Sequence, residues 1–548
     1  MEYRLSPPRQ GLALAGCVLL AAWLRLSLMT DWLGYDECVN YMIGKSAFWS
    51  DFLLQYSARA HPPLSYIATK PFLALGASPL LARAAALLAG LAGVIMLHFT
   101  LREALREPAP SPAEAPAPWI GTLLLGATPI FVQQSIEVRG YSLCLVFVWA
   151  SFGLALRIRA TGSERAADHV ALAALGLLAL LTEFGAIFHV AALSGMLYGP
   201  LLLGWLQRGR WRCALRCVAP QLAAVALAVG NFAWQMGGRR PEYGHTSHAM
   251  YAGHLLDPGA VAAFAAERFA AQLGGILPNP WGLALLGVLL LAFTPPVGRS
   301  AAARSARALA AYSLLALALA FAASLLRRFP FGGAPRHGMA IFPGILLAGF
   351  LTVAALLRAR FASARARALA GAVALAGVAP AFVLGLAALR SDARSGERLR
   401  DQIGVAEYAA APGPVIANVK SQPLFSWWFR QGITPRRRYA DITRFFVYDY
   451  AGISVVRPRT PEEVLTTALF YARNAGVSWI FLSYPQQDAK SFEADHAFFE
   501  RALAAHPEVS VPIDRKVEWI LDTIVMKLER KRSIAGPPSV GSTSRDAG

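Results

Sequence analysis

The segment Tyr35-Asp36-Glu37 sets two adjacent carboxylates just beyond an apolar stretch. Neighbouring loop side chains point in different directions, so Asp36 can take a proton while Glu37 orients or binds. Farther along the same loop, His61-Pro62-Pro63-Leu64 places an imidazole before two prolines that fix φ and stiffen the chain. Four arginines stand at the edges of apolar stretches on the same side as Asp36: Arg25, Arg83, Arg139 and Arg336. An arginine near hydrocarbon costs a few kcal/mol unless it is paired or functional. Phosphate is the anion that suits guanidinium at a lipid boundary. The run Ser135-Ile136-Glu137-Val138-Arg139-Gly140-Tyr141 adds an acid and a base to one tight turn. Taken singly, each feature has a plainer reading: a solvated loop acid, an ion pair within a turn, an arginine snorkelling to the interface. Together they describe an anion site with a carboxylate beside it.

The elements that must position these residues are membrane helices. Of 548 residues, 56% are hydrophobic and 16% charged, with a mean hydropathy of +0.43. Soluble domains average about 25% charged residues. Leu/Ala/Val/Gly-rich runs of spanning length recur through the first 390 residues, without the alternation of a membrane barrel. The expected fold is an α-helical polytopic membrane protein of about eleven spans: 11–29, 80–101, 119–135, 141–158, two within 168–206 turning near Glu183, 217–236, 281–297, 310–326, 339–357 and 368–389. The first helix is too long for a cleaved signal and reads as retained. Every second loop is an arginine cluster on the side of the N-terminus, which the positive-inside rule makes cytoplasmic. The first outer loop, 30–79, and the later outer loops then face the opposite, periplasmic-type side of an inner membrane. The formal charge of +19 follows from those clusters, and no nucleic-acid motif accompanies it.

Residues 390–529 read as an extracytoplasmic α/β domain, with strand-like runs 415–419, 479–484, 509–511 and 517–528 and helical stretches 461–474 and 489–505. Residues 530–548 read as a disordered tail. The five cysteines form no CxxC pair. Loop 237–280 carries His245, His248 and His254, but no Cys or carboxylate at ligand spacing, and its second half, 260–273, reads as an amphipathic interfacial helix. No cofactor is expected; a divalent metal on those histidines is the alternative to a solvated, acceptor-facing loop.

Arg25-Leu26 near the end of the first helix, then Tyr35-Asp36-Glu37, then His61-Pro62-Pro63-Leu64 resembles the GT-C membrane glycosyltransferases, closest to the branch of protein O-mannosyltransferases and aminoarabinose transferases. Residues 135–143, after Ala127-Thr128-Pro129-Ile130, look like that family's second outer loop. Gly333-Ala334-Pro335-Arg336-His337, followed by Phe342-Pro343, is similar to its late signature. Residues 1–389 would then be the GT-C-like catalytic domain. The resemblance implies a polyprenyl-phosphate-linked sugar donor, a glycan, lipid or protein acceptor, and an inverting displacement. In it Asp36 matches the catalytic aspartate, Glu37 is its companion, and His61, Arg25, Arg83, Arg139 and Arg336 line the donor site. Glu137, Tyr141, Glu183 and His337 are the expected substrate contacts. Thr182-Glu183 departs from the pattern, because many relatives carry an aromatic or His there. The alternative is a transporter or flippase for a lipid-linked glycan, which would call for ions or broken helices at mid-membrane.

Overall fold

The computed structural model describes residues 7–29, 37, 40–41, 44, 63–76, 78–106, 118–237, 258–298, 300–326, 329, 331–332, 335–361 and 363–402, together with the strands and helices named below for the C-terminal region. The chain divides into two compact units, Met1–Arg394 and Ser395–Gly548.

The first unit is a helical membrane protein. Its helices are α1 (Pro7–Leu28), α2 (Leu64–Leu75), α3 (Pro79–Ala104), α4 (Pro118–Gly126), α5 (Pro129–Ser135), α6 (Tyr141–Thr161), α7 (Ala166–Leu180), α8 (Ala186–Gln207), α9 (Trp211–Gly237), α10 (Pro258–Gly274), α11 (Trp281–Leu291), α12 (Ala301–Leu325), α13 (Phe342–Arg360) and α14 (Ala364–Gln402). Among the described residues, eight helices are long and apolar enough to cross a membrane, and α7 and α11 are shorter apolar helices. Large apolar side chains such as Leu12, Leu19, Leu222, Leu369 and Val373 lie exposed on their outer faces, as lipid contact requires. Only 6% of the apolar window of α14 is buried, so that helix is exposed nearly all round.

The expected third span, 119–135, is two helices. Pro129 has no N–H to continue the ladder of α4, so the chain bends at Ala127-Thr128 and restarts with proline in the first turn of α5. The expected ninth span begins earlier, at Ala301, capped by the Ser300 hydroxyl accepting the Ala303 N–H at 3.2 Å. Arg304 and Arg307 therefore lie inside α12. Small residues bring the helices together where the hydrophobic effect cannot. Ala302, Ala303, Ala306, Ala310, Ala316 and Ala320 are buried in α12, as are Gly344, Ala348 and Ala355 in α13.

Arginine clusters mark the ends of α3, α6, α8 and α13 that lie opposite the helix starts at Pro79, Tyr141, Ala186 and Phe342. There Arg157 pairs with Asp168 at 3.1 Å, and Arg210 pairs with Glu164, which also accepts the Trp205 indole N–H at 3.2 Å.

The second unit holds an eight-stranded mixed sheet in the order β2-β3-β4-β1-β5-β8-β6, with β7 also pairing β8. The strands are β1 (Val415–Ala417), β2 (Arg436–Ala440), β3 (Phe445–Tyr450), β4 (Ile453–Arg457), β5 (Val477–Pro485), β6 (Val509–Ser510), β7 (Asp514–Lys516) and β8 (Leu521–Arg530). β1 runs parallel to β4 and β5, and the remaining pairs are antiparallel. Helices α15 (Pro461–Ala475) and α16 (Ala489–Ala504) pack on β5 and β8. α15 buries Val464, Leu465, Ala468, Leu469 and Ala472 along one stripe, the pattern of a helix lying on a sheet. The expected strands near 415, 479, 509 and 521 and both helices are present. β2, β3, β4 and β7 are additions, and residues 531–548 lie outside the described residues.

Candidate active site

Four turns meet at the end of the membrane unit opposite the arginine clusters. They are residues 136–140 between α5 and α6, 181–185 between α7 and α8, the entry to α2 at 63–65, and 335–341 before α13. The Leu64 N–H donates to the Leu181 carbonyl at 3.0 Å. At Gly140 a Cβ would stand 2.8 Å from the Thr182 carbonyl oxygen and 2.9 Å from Ser65 Cβ, so only glycine lets these three turns touch. At Gly185 a Cβ would lie 3.3 Å from the His337 carbonyl oxygen, which brings in the fourth turn.

Glu183 sits among them, half-buried, its Oε1 accepting the Gly185 N–H at 3.2 Å. Burial pushes its carboxyl above the ordinary range, while the Gly185 N–H and then the Arg139 and Arg336 guanidinium groups pull it back. The Arg139 guanidinium lies 5.8 Å from the centre of the Tyr141 ring, a cation–π stack on a residue buried at the start of α6. The Arg139 N–H donates to the Glu137 carbonyl at 2.7 Å, closing a three-residue turn. His337 meets Phe329 edge to face, with ring centres 6.3 Å apart. The structure thus brings together Arg139, Tyr141, Glu183, Arg336 and His337 from turns far apart in sequence.

Glu37, Arg83 and Arg25 are engaged differently. Glu37 Oε1 accepts from Arg83 Nε and Oε2 from Arg83 Nη2, both at 2.8 Å, and Oε1 also accepts the Val138 N–H at 2.8 Å. Asn40 Nδ2 donates to the Val138 carbonyl at 2.6 Å. Glu37 and Arg83 are both buried. Arg25, 1% exposed, donates to the Ser135 hydroxyl at 2.6 Å, the Ala21 carbonyl at 3.1 Å and the Gly126 carbonyl at 3.2 Å. Its guanidinium is satisfied by protein oxygens on α1 and on both halves of the split third span.

Sequence reasoning passed over Arg268 and Gln272 on α10. Gln272, buried, accepts the Gly332 N–H at 2.9 Å, and the half-buried Arg268 lies 5.2 Å from the Phe264 ring centre and donates to the Gly332 carbonyl at 3.4 Å. The signal was the polar face of the stretch read as amphipathic. His189 was passed over as well: its ring nitrogens bond the Ser151 and Tyr312 hydroxyls, each at 2.8 Å, and Tyr312 donates to the Ala340 carbonyl at 3.3 Å beneath the fourth turn. A lone histidine in an apolar span carries no signal of its partners.

Asp36 and His61 lie outside the described residues, as do His245, His248 and His254. Among the described residues no three His, Cys, Asp or Glu side chains gather as a metal site.

No family model matches the chain, and no curated protein matches it. Among solved structures, ArnT from Cupriavidus metallidurans bound to undecaprenyl phosphate matches with a TM-score of 0.55 at 14% identity, over 95% of this chain and 98% of that one. This chain shares the fold of that ArnT. The apo state of the same ArnT gives a TM-score of 0.49 at 15% identity over 94% and 97% of the two chains. The archaeal oligosaccharyltransferase AglB from Archaeoglobus fulgidus, in complex with an inhibitory peptide and a dolichol-phosphate, gives 0.44 at 12% identity over 87% and 70%. At such identities the likeness speaks for the arrangement of the chain, and the chemistry has to come from the side chains.

Proposed function

We propose that this protein is a membrane glycosyltransferase that moves a sugar from a polyprenyl-phosphate carrier to an acceptor hydroxyl on the outer face of a bacterial-type inner membrane. The observation that carries the reading is the meeting of Arg139, Arg336 and Glu183 at the end of the bundle opposite the arginine-rich loops. Guanidinium groups at a lipid boundary suit a phosphate whose tail stays in the bilayer. ArnT, of the same fold, holds undecaprenyl phosphate, which supports the choice of carrier by analogy.

A glycosyl phosphate already carries a good leaving group, so the enzyme needs charge stabilisation and positioning more than a strong acid. Arg139 and Arg336 take up charge on the departing phosphate as the anomeric carbon–oxygen bond breaks. The acceptor oxygen bonds to that carbon from the opposite face, which inverts it, and Asp36 accepts the hydroxyl proton. An aspartate of ordinary pKa, about 3.9, is ionised at neutral pH and can take the proton late, as an oxocarbenium-like centre captures the hydroxyl. His61 contacts the donor phosphate, and Tyr141, Glu137 and His337 face the sugar or acceptor.

The purified protein in lipid, given a polyprenyl-phosphate sugar and envelope extract, is expected to yield a glycosylated product by mass spectrometry. Asp36→Asn should express normally and lose transfer by at least about 10²-fold, the lower range for a general base. Normal turnover in that variant would refute the assignment. Carrier translocation without glycoside product would point to a flippase instead.

A further inference from the structure

Glu37 and Arg83 form a buried bidentate pair. Both carboxylate oxygens of Glu37 face Arg83, and Oε1 also holds the Val138 N–H, while Asn40 three residues on takes the Val138 carbonyl. The first outer loop therefore grips both backbone groups of one residue in the 136–140 turn. Consecutive Cα atoms across a trans peptide stand about 3.8 Å apart. Asp36 is one residue from one jaw of this grip, and Arg139 is one residue from the other.

We infer that Glu37 and Arg83 are a positioning pair, which holds the 136–140 turn, and with it the phosphate-facing cation at Arg139, against the first outer loop. This rests on the reading proposed above. It moves Glu37 out of the proton chemistry and Arg83 off the donor. A buried bidentate pair is a rigid spacer, because two parallel N–H···O bonds set orientation as well as length. A displacement of about 1 Å in a reacting group costs on the order of 10²-fold in rate.

Neutralising one partner leaves the other's buried charge uncompensated and can unfold the protein, so the test adds a variant in which both are amides. Glu37→Gln retains an acceptor for the Val138 N–H, and Glu37→Gln with Arg83→Gln removes both charges together. Both proteins are expected to show kcat reduced by on the order of 10²-fold with donor KM within about threefold of wild type. The acid limb of the kcat–pH profile should persist in Glu37→Gln, since the base is a different residue. Loss of that limb would make Glu37 the base and overturn the proposal. A raised donor KM at unchanged kcat in Arg83→Gln would make Arg83 a donor contact and overturn it likewise, as would kcat within twofold of wild type in all three variants. Melting temperatures of wild type, the two single variants and the double variant form a cycle that needs no activity. Non-additive losses support the clasp, and additive ones sink it. A wild-type protein that transfers no sugar, yet shows the coupling in this cycle, would overturn the functional reading and leave the clasp standing.

Discussion

Glu183 is pulled in opposite directions by its surroundings. Burial raises its carboxyl pKa, and Arg139 and Arg336 lower it by less. A carboxyl raised in the folded state contributes stability below the ordinary glutamate value, about 4.3, and that contribution is lost as pH climbs through the raised value. Glu183→Gln is therefore expected to melt higher than wild type at neutral pH, with the difference closing in acid, as read by thermal scans across pH. The same substitution leaves the two arginines with less competing negative charge. It should tighten binding of the polyprenyl phosphate product by about 1 kcal/mol, roughly fivefold, measurable by titration in nanodiscs. At this scale the sequence was informative about chemistry and poor about partners. Arg83 and Arg139 look alike as outward arginines in the chain. Only the fold shows that one is bound to Glu37 and the other lies over Tyr141.

Elements explain why the site exists. Each of the four turns joins helices whose packing is set elsewhere, and the turns meet because Gly140 lacks the Cβ that would strike Thr182. The apolar runs that became helices were legible, since twenty residues without a charge have few alternatives in a bilayer. The break of the third span at Pro129 was written plainly in Ala-Thr-Pro but was hidden by the continuous hydropathy around it. In the second unit, β2 begins Arg436-Arg437-Arg438, which has no apolar alternation and so carried no periodic signal, whereas its hairpin partner β3, Phe445–Tyr450, is an aromatic, strand-forming run that sequence reasoning passed over. The fourth turn depends on an element below it: the Tyr312 hydroxyl, shared between His189 and the Ala340 carbonyl. Tyr312→Phe keeps the ring against Phe152 and deletes those bonds, and should cost about 1–3 kcal/mol, seen as a lowered melting temperature in detergent.

For the whole molecule, the arginine clusters and the site occupy opposite helix ends, so one experiment fixes both. Single cysteines at Glu137 and at Arg208, in a background freed of native cysteines, should react differently with a membrane-impermeant maleimide on intact cells. Labelling at 137 and protection at 208 is expected from the positive-inside arrangement. The reverse pattern would place the site in the cytosol and rule out an outer-face transfer.

Arg25 carries a consequence for the way such a bundle can change. Its three bonds close a seam: the carbonyl at the end of α4 and the hydroxyl at the end of α5 are both turned toward one guanidinium on α1. A lysine has one nitrogen for these separated acceptors, and a leucine has none, so either would leave a backbone oxygen unpaired inside the bundle. The arginine and the interrupted helix are thus locked as a pair. A lineage could shed one only by also healing the other, which makes the kink and its cation a single heritable trait.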